Sequence, residues 1–98
     1  MAQVVFAVDL DEETIQNLQE LRWRRRLVLL AQINEMEGTL QSLEQMGALT
    51  GEEKLAYEPQ VRGELEAKLQ QIESRLADSS VFYDDEIEFY LELIRFHA

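Results

Sequence analysis

Arg22-Trp23-Arg24-Arg25-Arg26 sets four of the chain's nine basic residues side by side. Guanidinium groups hold carboxylates and phosphates through paired N–H donors, and a tryptophan among them is an aromatic anchor of the kind enriched at interfaces. The opposite charge gathers near the C-terminus, in Asp84, Asp85, Glu86 and Glu88. Acid exceeds base throughout, for a net charge of −11. The arginines are therefore expected to pair with the chain's own carboxylates, within or between subunits, in preference to an external anion. Four arginines in little more than one helical turn cannot share a face. Arg22 and Arg26 fall together, and Arg25 falls on an apolar stripe, where it needs a partner. Arg22, Trp23 and Arg25 are candidate interface residues.

Other chemistries find little to work with. A carboxylate-bridged di-metal bundle needs Glu-x-x-His pairs on facing helices. The one histidine is His97, and Ile94 stands where that glutamate would be. A hard-cation loop needs oxygen ligands spaced around a glycine, which Asp84-Asp85-Glu86 lacks. There is no cysteine, hence no thiolate site and no disulfide. No Ser-His-Asp set is evident, and the four glycines are scattered, so no loop is built to cradle phosphate. The expectation is a protein that is not an enzyme, with no metal and no cofactor. The acidic balance argues against nucleic acid and against anionic membrane, and it suits a basic protein surface. Imitation of a nucleic acid is weakened between Glu52 and Arg75, where six acids are interleaved with four bases. No leader is evident in Met1–Leu10 and no apolar run reaches membrane-spanning length, so a soluble, cytoplasmic protein is expected.

The elements that must position these residues are helical. From Glu12 to Met46 there is no proline, and the one glycine is Gly38. Leu29, Ile33, Met36, Leu40 and Leu43 step by fours and threes, which keeps one side of a helix apolar. Earlier in the helix the stripe reads Thr14, Leu18, Leu21, Arg25, Val28. Leu27 to Ala31 is apolar all round, which predicts burial on several sides. Asp9 is the expected N-cap, with Glu12 completing a capping box.

Gly47 is the expected left-handed residue past the first helix, and Thr50 with Glu53 forms a second capping box. Pro59 divides the next stretch into a short helix, Gly51 to Tyr57, and a longer one to about Ala77. Val61, Leu65, Leu69, Ile72 and Leu76 give that stretch its own stripe. Asp78-Ser79-Ser80 is a break. The aromatic segment that follows reads as a helix with two apolar faces, carrying Phe89, Tyr90 and Phe96. Val4 to Val8 is prone to strand formation. A lone strand needs a partner, in a second copy or another protein, so this run is expected instead to lie extended as an apolar anchor on the helices. Gly38 and Gly63 within helices are expected to let another helix approach closely.

The fold expected is all-α: an antiparallel, coiled-coil-like helical hairpin with a third C-terminal helix, assembled as a dimer or higher bundle. It forms a single helical domain over residues 1–98, with an extended segment at 1–9, a long helix at 10–47, a second at 51–77 kinked near Pro59, and an aromatic helix at 80–97. A helix of about 50 Å is longer than a globule of this size is wide, so a second chain or a helix folded back must cover its stripe. The function expected is non-enzymatic interaction or scaffolding through helical surfaces and self-association, with itself and another protein as partners. The interface residues are Arg22, Trp23, Arg25, Leu29, Ile33, Met36, Leu40, Leu43, Phe89, Tyr90 and Phe96. The alternative is a small acidic regulator that binds a basic surface on its target.

Overall fold

A computed structural model describes residues 3–97. Among them the chain runs β1 (Val4–Phe6), a 3₁₀ turn (Ala7–Asp9), α1 (Glu12–Gln45), α2 (Gly51–Leu76), β2 (Val81–Tyr83) and α3 (Asp84–His97). The all-α hairpin with a third helix is the observed fold. Its contacts group into two compact units: a hairpin unit of residues 26–72, and a terminal unit made of residues 3–25 and 73–97.

In the hairpin unit α1 and α2 pack side by side, and their stripes cover each other. Leu29, Met36, Leu40 and Ile72 are buried, and Ile33, Leu43, Val61, Leu65 and Leu69 are partly buried. The long helix is thus covered by a helix folded back from the same chain. The turn between them follows from its residues. Gly47 takes φ +79°, with its N–H donated to the Glu44 carbonyl and that of Ala48 to Leu43, which closes the end of α1 with a Schellman motif. Thr50 then caps α2: the Glu53 N–H donates to Thr50 Oγ1, and the Thr50 N–H to Glu53 Oε1, both at 3.1 Å.

Three expectations for this unit are corrected. The separate helix ending at Tyr57 does not form, because α2 runs unbroken through Pro59. Pro59 leaves the Leu55 carbonyl without its helical donor, at a residue that is exposed to solvent. Gly38 and Gly63 admit no close helix, since a Cβ built on either meets nothing within 4 Å. Of the apolar run Leu27 to Ala31, Leu29 is buried, but Leu27 and Val28 are 60% and 56% exposed. One helix folded back covers one side of α1, and the opposite side stays in water.

In the terminal unit the N-terminal run is a strand and not an anchor on helices. β1 pairs antiparallel with β2 in the register Val4↔Tyr83, Val5↔Phe82, Phe6↔Val81. The partner lay inside the segment read as helix: Val81-Phe82-Tyr83 is itself β-branched and aromatic. α3 therefore starts at Asp84 and not at residue 80. The start of α1 also moves. Asp11 is the cap, its Oδ1 accepting the Thr14 N–H at 2.9 Å, and Asp9 ends the 3₁₀ turn. That bond to Thr14 holds the Asp11 carboxyl below its ordinary range. Phe82 of β2 and Leu18 of α1 are the largest fully buried side chains of the unit.

Candidate functional site

The chemistry-bearing residues of the sequence meet in the terminal unit, where Arg22 of α1 is buried against β2 and the start of α3. Its guanidinium pairs with Glu86 in fork geometry, Nε to Oε1 at 2.6 Å and Nη2 to Oε2 at 2.9 Å. Nη1 donates to the carbonyls of Arg75 (2.7 Å) and Asp78 (3.1 Å), and Nη2 donates to the Val81 carbonyl (2.9 Å). All five N–H donors of the side chain are used. Phe82 lies beneath, its ring centroid 4.3 Å from the guanidinium carbon. With Arg22 3% and Glu86 6% exposed, this is a desolvated pair. Such a pair is tolerable where further hydrogen bonds satisfy the remaining donors and lone pairs.

Each contact has a local origin. Asp84, Asp85 and Glu86 make the first turn of α3, and Glu86 reaches back so that Oε2 accepts the Tyr83 N–H at 2.9 Å, one half of a capping box. The Arg75 and Asp78 carbonyls stand at and just past the end of α2, where the negative end of the helix dipole attracts a cation, and the Arg75 carbonyl accepts the Asp78 N–H as well. Asp78 holds the turn open to Arg22 by accepting the Ser80 N–H and hydroxyl, and those bonds keep its carboxyl below the ordinary range. Outside the buried pair, Arg75 forks onto Asp85 at 3.0 and 3.2 Å and lies 4.1 Å over the Tyr83 ring. The Arg75 hydrogen bonds lower the Asp85 carboxyl despite some desolvation.

The other expected residues are dispersed. Leu29, Ile33, Met36, Leu40 and Leu43 line the seam of the hairpin and face α2. Arg25 is exposed, 5.4 Å from the ring of Phe89. The arginine that enters the core is Arg22 and not Arg25. The buried phase of α1 runs Leu18, Arg22, Leu29, whereas the sequence reading placed it on Leu18, Leu21, Arg25. Following the apolar residues alone skips a buried arginine; its signal was its place one turn past Leu18 on the line to Leu29. Trp23 is 54% exposed, and Phe96 is 84% exposed at the end of α3. Tyr90 is partly buried and accepts a hydrogen bond from Asn17 at 3.0 Å.

Tyr90 also borders an open groove of about 350 Å³ between α1 and α3, floored by Leu21, Leu93 and Ile94 and edged by Glu20, Arg24 and His97. No family model, curated protein or solved structure matches this chain. The site is therefore characterised by its own geometry. Among the described residues no three acids or histidines converge as metal ligands, and no helix is long and apolar enough to cross a membrane. Arg22, the most chemically capable side chain, has no donor left for a ligand. Its arrangement joins α1 to α2, β2 and α3.

Proposed function

We propose that this protein is a non-catalytic interaction or assembly protein that works by presenting helical surfaces, to itself and to a second protein. The observation that carries this reading is the outer surface of α3. On this fourteen-residue helix Phe89 and Phe96 fall on one side and Leu91 and Ile94 on another, and all four are exposed. Exposed large apolar side chains in such number on one short helix mark contact surfaces. The neighbouring groove between α1 and α3 continues the same apolar character.

The test is light scattering on the purified chain at several concentrations, with Leu91→Asp and Ile94→Asp as variants. Both positions are exposed, so the fold should persist by circular dichroism while association through this face falls. A monomer of 11.5 kDa at every concentration would refute self-association.

The net charge of −11 and the many exposed glutamates favour a second reading, an acidic regulator bound to a basic surface. Salt separates the two. Self-association of like-charged copies strengthens as NaCl screens their repulsion, whereas binding to a basic partner weakens.

A further inference from the structure

The two-stranded sheet has two outer edges, and they are finished differently. The Asp84 N–H donates to the Gln3 carbonyl at 3.0 Å, and the Ala7 N–H to the Ser80 carbonyl at 2.8 Å. An antiparallel ladder alternates, so Gln3, Val5 and Ala7 turn their backbone groups toward β2, and Val4 and Phe6 turn theirs away. On β2 the groups that turn away belong to Val81 and Tyr83. Both residues are served by the buried ion pair: Arg22 donates to the Val81 carbonyl, and Glu86 accepts the Tyr83 N–H. Arg22 and Glu86 stand where a third strand would lie. The β1 edge has no such cover among the described residues.

β1 is short, at three residues, but it lacks the charges and proline that also guard an edge. From Gln3 to Val8 there is no charge and no proline, and Val4 and Phe6 are 48% and 58% exposed. We propose that β1 pairs with β1 of a second copy across a two-fold axis, joining two hairpin sheets into one of four strands. The outward groups fix the register. They belong to Val4 and Phe6, symmetric about Val5, so an antiparallel twin matches Val4 with Phe6 of the other copy twice over. That gives four backbone hydrogen bonds from the same residues on each side, the self-complementary pattern that a two-fold interface requires. Each match also sets a β-branched side chain opposite an aromatic one. The neutrality of the strand lets two copies of charge −11 meet without like charges face to face. This rests on the self-association proposed above and names a surface for it other than α3.

Proline at position 6 is the decisive variant. Phe6 has φ −74° and ψ 136°, a conformation proline adopts, and its N–H points to the outer edge. Phe6→Pro therefore leaves the β1–β2 ladder whole and removes one outward donor from each copy. Sedimentation equilibrium in moderate NaCl should show a concentration-dependent dimer of the parent chain. Phe6→Pro should weaken it by about tenfold or more with an unchanged circular dichroism melt. Phe6→Ala, which keeps the N–H, should weaken it less.

The parent chain has no cysteine, so Val5→Cys adds a register test. Two copies of residue 5 would face each other as a non-hydrogen-bonded pair at disulfide distance and cross-link on mild oxidation, ahead of Val8→Cys. A dimer indifferent to Phe6→Pro but broken by Ile94→Asp would overturn the edge pairing and leave the α3 reading standing. A monomeric parent chain, equal losses for Phe6→Ala and Phe6→Pro, or Val5→Cys no faster than Val8→Cys would also overturn it.

Discussion

The hairpin unit and the terminal unit are held by opposite kinds of interaction. In the hairpin unit, Leu29, Met36, Leu40 and Ile72 shut out water between two helices. Apolar contact is non-directional, so it fixes which faces meet but tolerates small slides along the helix axis. The terminal unit is centred on Arg22, whose five donors reach one carboxylate and three carbonyls drawn from α2, the turn after it, β2 and α3. Each hydrogen bond has a required distance and angle, so the same interactions that stabilise the unit also fix its register. Each unit follows from what its segments offer. Two long helices with matched stripes bury enough apolar surface to hold together. Two three-residue strands and a helix end bury little, and their exposed backbone groups need partners.

The sharpest way to break this contrast is at Arg22. Arg22→Ala leaves Glu86 buried without its partner and should cost about 3–5 kcal/mol, a large part of the roughly 5–15 kcal/mol stability of a typical domain. Urea denaturation would measure it. Arg22→Lys should recover only part, because three donors replace five. The double variant Arg22→Met with Glu86→Leu discriminates further. Many buried ion pairs can be exchanged for apolar side chains with little loss. Here the Asp78 and Val81 carbonyls would lose their donor while the Arg75 carbonyl keeps the Asp78 N–H, so the double variant should stay about 2 kcal/mol less stable than the parent. Full recovery would show that the carbonyl contacts are dispensable.

The seam gives the next largest effect. Leu40→Ala should destabilise by about 2–3 kcal/mol in the same assay, and Leu40→Met by well under half of that, since packing there depends on volume and not on direction. The glycines give smaller changes of opposite sign. Gly38→Ala and Gly63→Ala should each stabilise by about 0.5–1 kcal/mol, because helix propensity improves and nothing stands within 4 Å of the new methyl. Gly47→Ala should destabilise by about 1 kcal/mol, because φ +79° is unfavourable for alanine. Thermal melts would read all three.

The smallest effect is a pH dependence at the rim of the buried pair. The Arg75 hydrogen bonds hold the Asp85 carboxyl below its ordinary 3.8. A carboxyl lowered on folding stabilises the native state above its unfolded value, and that contribution is lost as pH falls through the folded value. Asp85 is 54% exposed, so the loss should stay below about 1 kcal/mol. Asp85→Asn should lower stability by that amount at neutral pH and converge with the parent as pH falls below about 4, which flattens the acid limb of the profile.

Local signals accounted for the hairpin seam and for the turn that joins its two helices. The three-and-four spacing set both faces of the hairpin, Gly47 set the end of α1, and Thr50 with Glu53 set the start of α2. These rest on residues within a few positions of one another, so the chain encodes them wherever it is read. The excess of acid likewise made internal pairing the natural fate of the arginines, and Arg22 with Glu86 is that pairing.

Which arginine, which acid and which strand were settled only by segments far apart in the chain. Val5 and Phe82 are 77 positions apart and meet in a ladder three residues long, too short for either run to declare itself a strand alone. Arg22 enters the core because the end of α2, the edge of β2 and the first turn of α3 all leave groups facing one point. Spacing along α1 puts Arg22 in line with Leu18 and Leu29 but does not record which groups it meets there. Helix faces are a property of neighbours in sequence, whereas the partners of backbone groups at chain ends are a property of the folded whole.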